Sequence, residues 1–394
     1  MHSSRAAVPW AALLVAIMVV LSSAGAMGRV GRLDHDLPLP VAMACAVYTG
    51  TVVYVFGGAT EGDLLDTIYA VDPETGRATE LGYRLPYPRK MASAVWTGRE
   101  AYIIGGIGFD AEPIAEIVRF VPGEGVTVVE GAMPYGTRGI PSFWDGEHVH
   151  VIGNCLSSGV GHHDVIRFDP ENGSSEILED VLPIPGAGSS AVWAGDRAYI
   201  VGGRHNISVL SDRIVEYIPG QGTRFVEGRL PQGRIGAACA WDGERLYAFG
   251  GTVALLCGPF ECVPIDYLDE IVVYDPVNDT CQLSECTLPW PMDLRAAVFT
   301  PSDGEMGDRV LIPGGLSKDG PEARLTVYYV DPPDGSDGPS WLPTLLDWTF
   351  GNRYIIMAGI AVVVLSYLLL IGPHLARSRE ERDARGQVDP ETEE

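Results

Sequence analysis

A glycine pair that returns about every 48 residues constrains this chain more than any other feature. Pairs stand at Gly57-Gly58, Gly105-Gly106, Gly202-Gly203, Gly250-Gly251 and Gly314-Gly315, and Gly153-Asn154 fills the remaining register. Asn is the residue that best replaces Gly in a left-handed conformation. Nine residues before each of the first five positions stands an aromatic: Tyr48, Trp96, Trp144, Trp193 and Trp241. Phe299 takes the sixth place, displaced by an insertion containing Pro301–Met306. Thr-Gly, Asp-Gly or Ala-Gly follows each of the first five aromatics, as in Trp144-Asp145-Gly146. Such dipeptides between apolar runs signal hairpins. After each glycine pair a third strand ends in Pro73, Pro122, Pro170, Pro219, Pro276 or Pro332. A fourth precedes a Leu-Pro or Met-Pro step at Pro86, Pro134, Pro183, Pro231 and Pro289. Each unit therefore reads as four short antiparallel strands, one sheet of a propeller.

The glycine doublet after an apolar strand, with an aromatic and Asp-Pro in the next, as in IVVYDP to Pro276, resembles the Kelch repeat. The family's tryptophan in the fourth strand is absent from ATEL, VTVV, SEIL, TRFV and CQL. The resemblance implies an all-β chain: a six-bladed β-propeller of four-stranded antiparallel blades over residues 27–333. The sixth unit runs into PPDGSDGPS without a fourth strand, and Pro38 lies 48 residues before Pro86. Arg29–His35 is therefore expected to close the last blade, with Ser340-Trp341-Leu342 as the alternative. Closure removes exposed sheet edges.

The ends point to a membrane. Ala11–Leu21 is uninterrupted apolar and Ala24-Gly25-Ala26 follows, so residues 1–26 read as a signal peptide, or else as an uncleaved anchor. Residues 334–353 form a linker, and Tyr354–Gly372 is a run of apolar and small residues. At 1.5 Å per residue, a helix of that length spans roughly 28 Å, near the hydrocarbon thickness. Arg377, Arg379, Arg382 and Arg385 in the tail, residues 373–394, favour its retention in the cytoplasm. The expectation is a single-pass cell-membrane protein with its bulk outside. Asn172, Asn206 and Asn278 lie in N-x-S/T sequons, which suits a glycoprotein. A net charge of −25 disfavours nucleic acid as a partner.

Candidate sites are few. Cys257, Cys262, Cys281 and Cys286 form two C-x4-C pairs, expected as two local disulfides or an exchanged set. Cys155, His162 and His163 are a candidate metal set, and no cofactor is expected. The six aromatics are expected to pack between blades rather than to hold a ligand. Arg89 and Arg234 lie 16 residues before their glycine pairs and Arg138 lies 15 before its own. Arg204 and Arg295 are expected on the same face. In Kelch-like propellers this position resembles the arginine of the binding pocket, and guanidinium forks suit carboxylates. The competing reading pairs these arginines with loop acids. The function expected is a non-catalytic surface module that binds a protein or an acidic glycan or peptide. The alternatives are a mutarotase-like sugar-modifying enzyme and a structural surface protein.

Overall fold

The repeated strands assemble into six four-stranded antiparallel sheets. The computed structural model describes residues 28–155, 161–206, 209–257, 262–293, 296–301 and 307–330. The expected signal peptide, linker, membrane helix and tail lie outside them. Numbered by their first strands, the sheets begin at Cys45–Tyr48, Ser93–Trp96, Ser142–Trp144, Ser189–Trp193, Ala238–Trp241 and Val298–Thr300. Each first strand pairs with a second, and the second with a third. The first strands of successive sheets touch in a closed cycle, so sheet 6 meets sheet 1 around a central channel.

Sheet 6 takes its outer strand from the start of the chain. Arg29–Arg32 pairs antiparallel with Leu325–Tyr329, Arg29 opposite Tyr329 and Arg32 opposite Thr326. The contact continues as Leu37 N–H donates to Ala323 O (2.8 Å) and Val41 N–H to Glu322 O (2.9 Å). Leu33, Leu37 and Val41 are buried there.

Alternation along the strands sends apolar side chains to both faces of each sheet, so the core is divided among the gaps between sheets. Six clusters result, each drawing on two consecutive sheets. Between sheets 1 and 2, Phe56 and Phe120 meet edge to face at 5.4 Å. One of the six repeat aromatics packs against each cluster.

The glycine pairs join one sheet to the next. Gly105 has φ +64°, and a Cβ on it would stand 2.5 Å from Thr137 O. Gly106 N–H donates to that same oxygen at 2.8 Å. The pattern repeats from Gly58 to Arg89 O, Gly203 to Arg234 O, Gly251 to Met292 O and Gly315 to Val41 O. Only glycine meets the left-handed backbone and the close approach together.

Deleting residues 28–37 removes one strand of sheet 6 and exposes the gap between sheets 6 and 1. The melting temperature of the truncated chain, followed by circular dichroism, is expected to fall by roughly 5 °C or more.

Candidate functional site

The connections between sheets and those after the glycine pairs lie at one end of the channel, because each glycine pair bonds to the start of the next sheet. On this face the connections are unequal. Sheets 4 and 5 project extra hairpins, Arg204–Asn206 with Val209–Leu210 and Thr252–Cys257 with Cys262–Tyr267. In sheet 3 the second and third strands themselves run on, as Val149–Cys155 and Gly161–Asp169. Sheet 2 instead exposes aromatics: Tyr87 is 59 % and Phe109 73 % accessible. Lys90 and Ile107 exchange backbone hydrogen bonds of 3.1 and 2.9 Å, so the segments bearing the two rings run side by side.

The arginines divide. Arg89 and Arg234 are buried structural residues rather than ligand-facing ones. Arg89 donates to Gly105 O (3.1 Å) and to Glu116 Oε2 (2.9 Å). Arg234 repeats this with Gly250 O at 3.1 Å and with Glu270. Each guanidinium thus ties the first glycine of its own repeat to the carboxylate at the start of the third strand. Burial lowers the Arg234 pKa, and Glu270 opposes the shift. The ion-pair reading of these two positions replaces the binding one. Arg138 remains accessible and donates to Ala111 O at 3.3 Å, bracing the Phe109 loop. Arg204 is half-buried on the sheet 4 hairpin. Arg295 lies outside the described residues.

At the channel mouth, Met43, Met91, Gly139, Gly188 and Gly236 all have left-handed φ, between 57° and 72°. Each N–H in this series donates to the carbonyl of the one before it at 2.9 Å, so a belt of backbone bonds runs from sheet to sheet. Below it is a cavity of about 110 Å³, lined by small residues that include Cys45, Ser93, Ser142, Ser190 and Cys239. The Ser93 and Ser142 hydroxyls bond each other at 2.7 Å. Burial pushes the Cys45 and Cys239 thiols up to about 12, so they stay protonated and unreactive.

The histidines serve structure. His150 is buried, stacks on Phe143 at 5.0 Å and places Nε2 2.7 Å from Asp145 Oδ2. His162 Nδ1 lies 3.3 Å from Asp164 Oδ2, whereas His163 Nδ1 donates to Leu182 O at 2.6 Å. The Cys155 side chain lies outside the described residues, and among those described no three His, Cys, Asp or Glu are grouped to hold a metal ion. Cys281 and Cys286 are free thiols. They sit on one strand, Thr280–Thr287, where five residues of extended chain span roughly 16 Å, too far for a bridge. The Cys257 and Cys262 backbones face each other across the sheet 5 hairpin, and their side chains are outside the described residues. Asn172 and Asn278 are exposed; the Asn206 side chain is not described.

Two outcomes are expected. Arg89→Met leaves Glu116, itself 28 % exposed, without its partner, and should cost about 2–4 kcal/mol in urea unfolding. An unchanged midpoint would release Arg89 from its structural role. The second outcome concerns pH. Burial lowers the His150 pKa from 6.5, so below that value the unfolded chain takes up a proton that the fold refuses. Stability is fully present above pH ~6.5 and declines as pH falls. His150→Gln should flatten that slope between pH ~6.5 and ~5 in thermal melts.

Comparison with known proteins agrees with the geometry. Residues 40–77, which hold the first three strands of sheet 1, match the Kelch motif. No curated protein matches the chain. Among solved structures, "Structure of YjhT" superposes with a TM-score of 0.60 over 75 % of this chain and 95 % of that one, at 16 % identity. At that identity the likeness speaks to the fold. By its motif and by its sheets, the protein is a β-propeller that carries a Kelch repeat.

Proposed function

We propose that this protein is a six-bladed propeller displayed outside the cell on a single C-terminal helix, where it acts as a non-catalytic binding module for a protein partner. The observation that carries the reading is the exposed pair Tyr87 and Phe109, side by side on the face that also bears the projecting hairpins. Exposed aromatics beside an arginine are the residue types that anchor protein interfaces, and Arg138 is held against the Phe109 loop. An acidic ligand has less to hold it than the sequence suggested, since Arg89 and Arg234 already serve Glu116 and Glu270. Display outside the cell rests on residues 1–26, Tyr354–Gly372 and the arginines that follow. Exposed Asn172 and Asn278 fit the same location.

The test places a photo-crosslinking amino acid at position 109, or at Val277 near the opposite end of the channel, in the full chain on intact cells. Adducts of defined mass are expected from position 109 and not from 277. They should disappear when Tyr87→Ser is added. Adducts from 277 alone, or adducts indifferent to Tyr87, would overturn the docking face. A carboxy-terminal tag accessible to antibody on intact cells would overturn the topology.

A further inference from the structure

At the opposite end of the channel, six turns join the first and second strands. The residue after the repeat aromatic decides how each is held. Thr49 and Thr97 donate through Oγ1 to Val52 O and Glu100 O, both at 3.0 Å. Thr300 donates to Arg309 O at 3.1 Å. Asp145 accepts from the N–H groups of Glu147 (2.8 Å) and His148 (2.6 Å), and Asp242 from Glu244 (2.7 Å) and Arg245 (2.6 Å). The sixth residue is Ala194, whose side chain can do neither.

The difference reaches one layer deeper. The second residue of the second strand meets a carboxylate in three sheets: Tyr102 OH donates to Glu100 (2.6 Å), His150 bonds Asp145 (2.7 Å) and Tyr247 OH donates to Asp242 (2.8 Å). Tyr54 holds that place in sheet 1 and Tyr199 in sheet 4, neither bonded to a carboxylate, and of the two only Tyr199 stands beside a turn with no hydroxyl or carboxylate after its repeat aromatic. The Tyr199 ring is buried, and its hydroxyl, which has no hydrogen-bond partner among the described residues, opens to solvent. Beside it opens a groove of about 580 Å³ between sheets 4 and 5, lined by Ala194, Tyr199, Trp241, Arg245 and Val277 among others. The Tyr199 and Trp241 rings stand 5.8 Å apart and tilted. Arg245 is exposed and forms no ion pair among the described residues, whereas Arg197 is already shared by Asp196 and Glu216. Three acids line the rim: Asp196 is paired with Arg197, Asp275 is held by the Val277 and Asn278 N–H groups, and Glu244 is exposed beside Arg245.

We propose that this groove binds a small organic carboxylate. Its anionic head takes the place that the side-chain carboxylates of Asp145 and Asp242 occupy in sheets 3 and 5. There it accepts from the Tyr199 hydroxyl and faces the turn N–H of Arg197, while its body lies along Trp241 under Arg245. The volume falls within the ~300–1,000 Å³ range of small-ligand sites. The site is separate from the protein-docking face and stands or falls without it.

The experiment titrates phenylacetate into the purified full-length chain by calorimetry, with phenethylamine as the probe of opposite charge. Phenylacetate is expected to bind, and phenethylamine at least about tenfold more weakly. Ala194→Asp supplies the missing carboxylate from within. It should raise the melting temperature and weaken phenylacetate at least about tenfold. Tyr199→Phe keeps the ring, leaves the melt nearly unchanged and should weaken phenylacetate in the same way, which guards against misfolding of the first variant. No binding to the unmodified chain, equal binding of the two probes, or undiminished binding to Tyr199→Phe or to a folded Ala194→Asp would each overturn the site.

Discussion

Everything in this ring depends on a backbone contact with no room for a side chain. At each glycine pair the end of the second strand lies against the carbonyl that begins the next sheet, and the second glycine's N–H bonds that oxygen. At Gly57 a Cβ would fall 2.6 Å from Arg89 O, and at Gly250 2.6 Å from Met292 O. The contact sets the pitch of the repeat, because it fixes where each new sheet starts relative to the one before. The apolar clusters then fill the wedge-shaped gaps that this spacing leaves. Hydrophobic burial supplies most of the driving force, but it is not directional, and the clasp gives it a geometry.

The two buried arginines show how the fold strengthens that clasp unequally. Arg89 and Arg234 each present the carbonyl that receives a glycine N–H from the preceding sheet, while their side chains hold the first glycine carbonyl of their own. One residue therefore bonds two successive glycine pairs. Val41, Thr137 and Met292 accept the same backbone bond with no guanidinium. Loss of either carboxylate would leave a guanidinium charge in a dry place, which is where such pairs matter most.

Most of the architecture was legible in the sequence because it is periodic. Glycine pairs, aromatics and turn dipeptides at fixed spacing locate the strands, and those strands form the four-stranded sheets. The chemistry was less legible because it depends on what the period does not repeat. Arg89 and Arg234 looked equivalent, yet their partners Glu116 and Glu270 lie at different distances along the chain, since the sheet 5 hairpin intervenes. The C-x4-C pairs looked alike, but Cys281 and Cys286 share one strand while Cys257 and Cys262 cap two. The open turn of sheet 4 was visible as Trp193-Ala194-Gly195 beside Trp144-Asp145-Gly146 and Trp241-Asp242-Gly243. That Tyr199 and a groove lie behind it was not.

The seam in sheet 6 orders events in the life of the chain. Arg29–Arg32 is synthesised before every other strand of the six sheets, and its partner Leu325–Tyr329 after all the rest. Pairing across so much sequence carries a loop-closure cost that local hairpins do not. Until then the nascent chain is an open arc with two unfinished edges, and its leading segment must stay unpaired while five sheets form beside it. Ring closure is thus the last pairing that these six sheets can make.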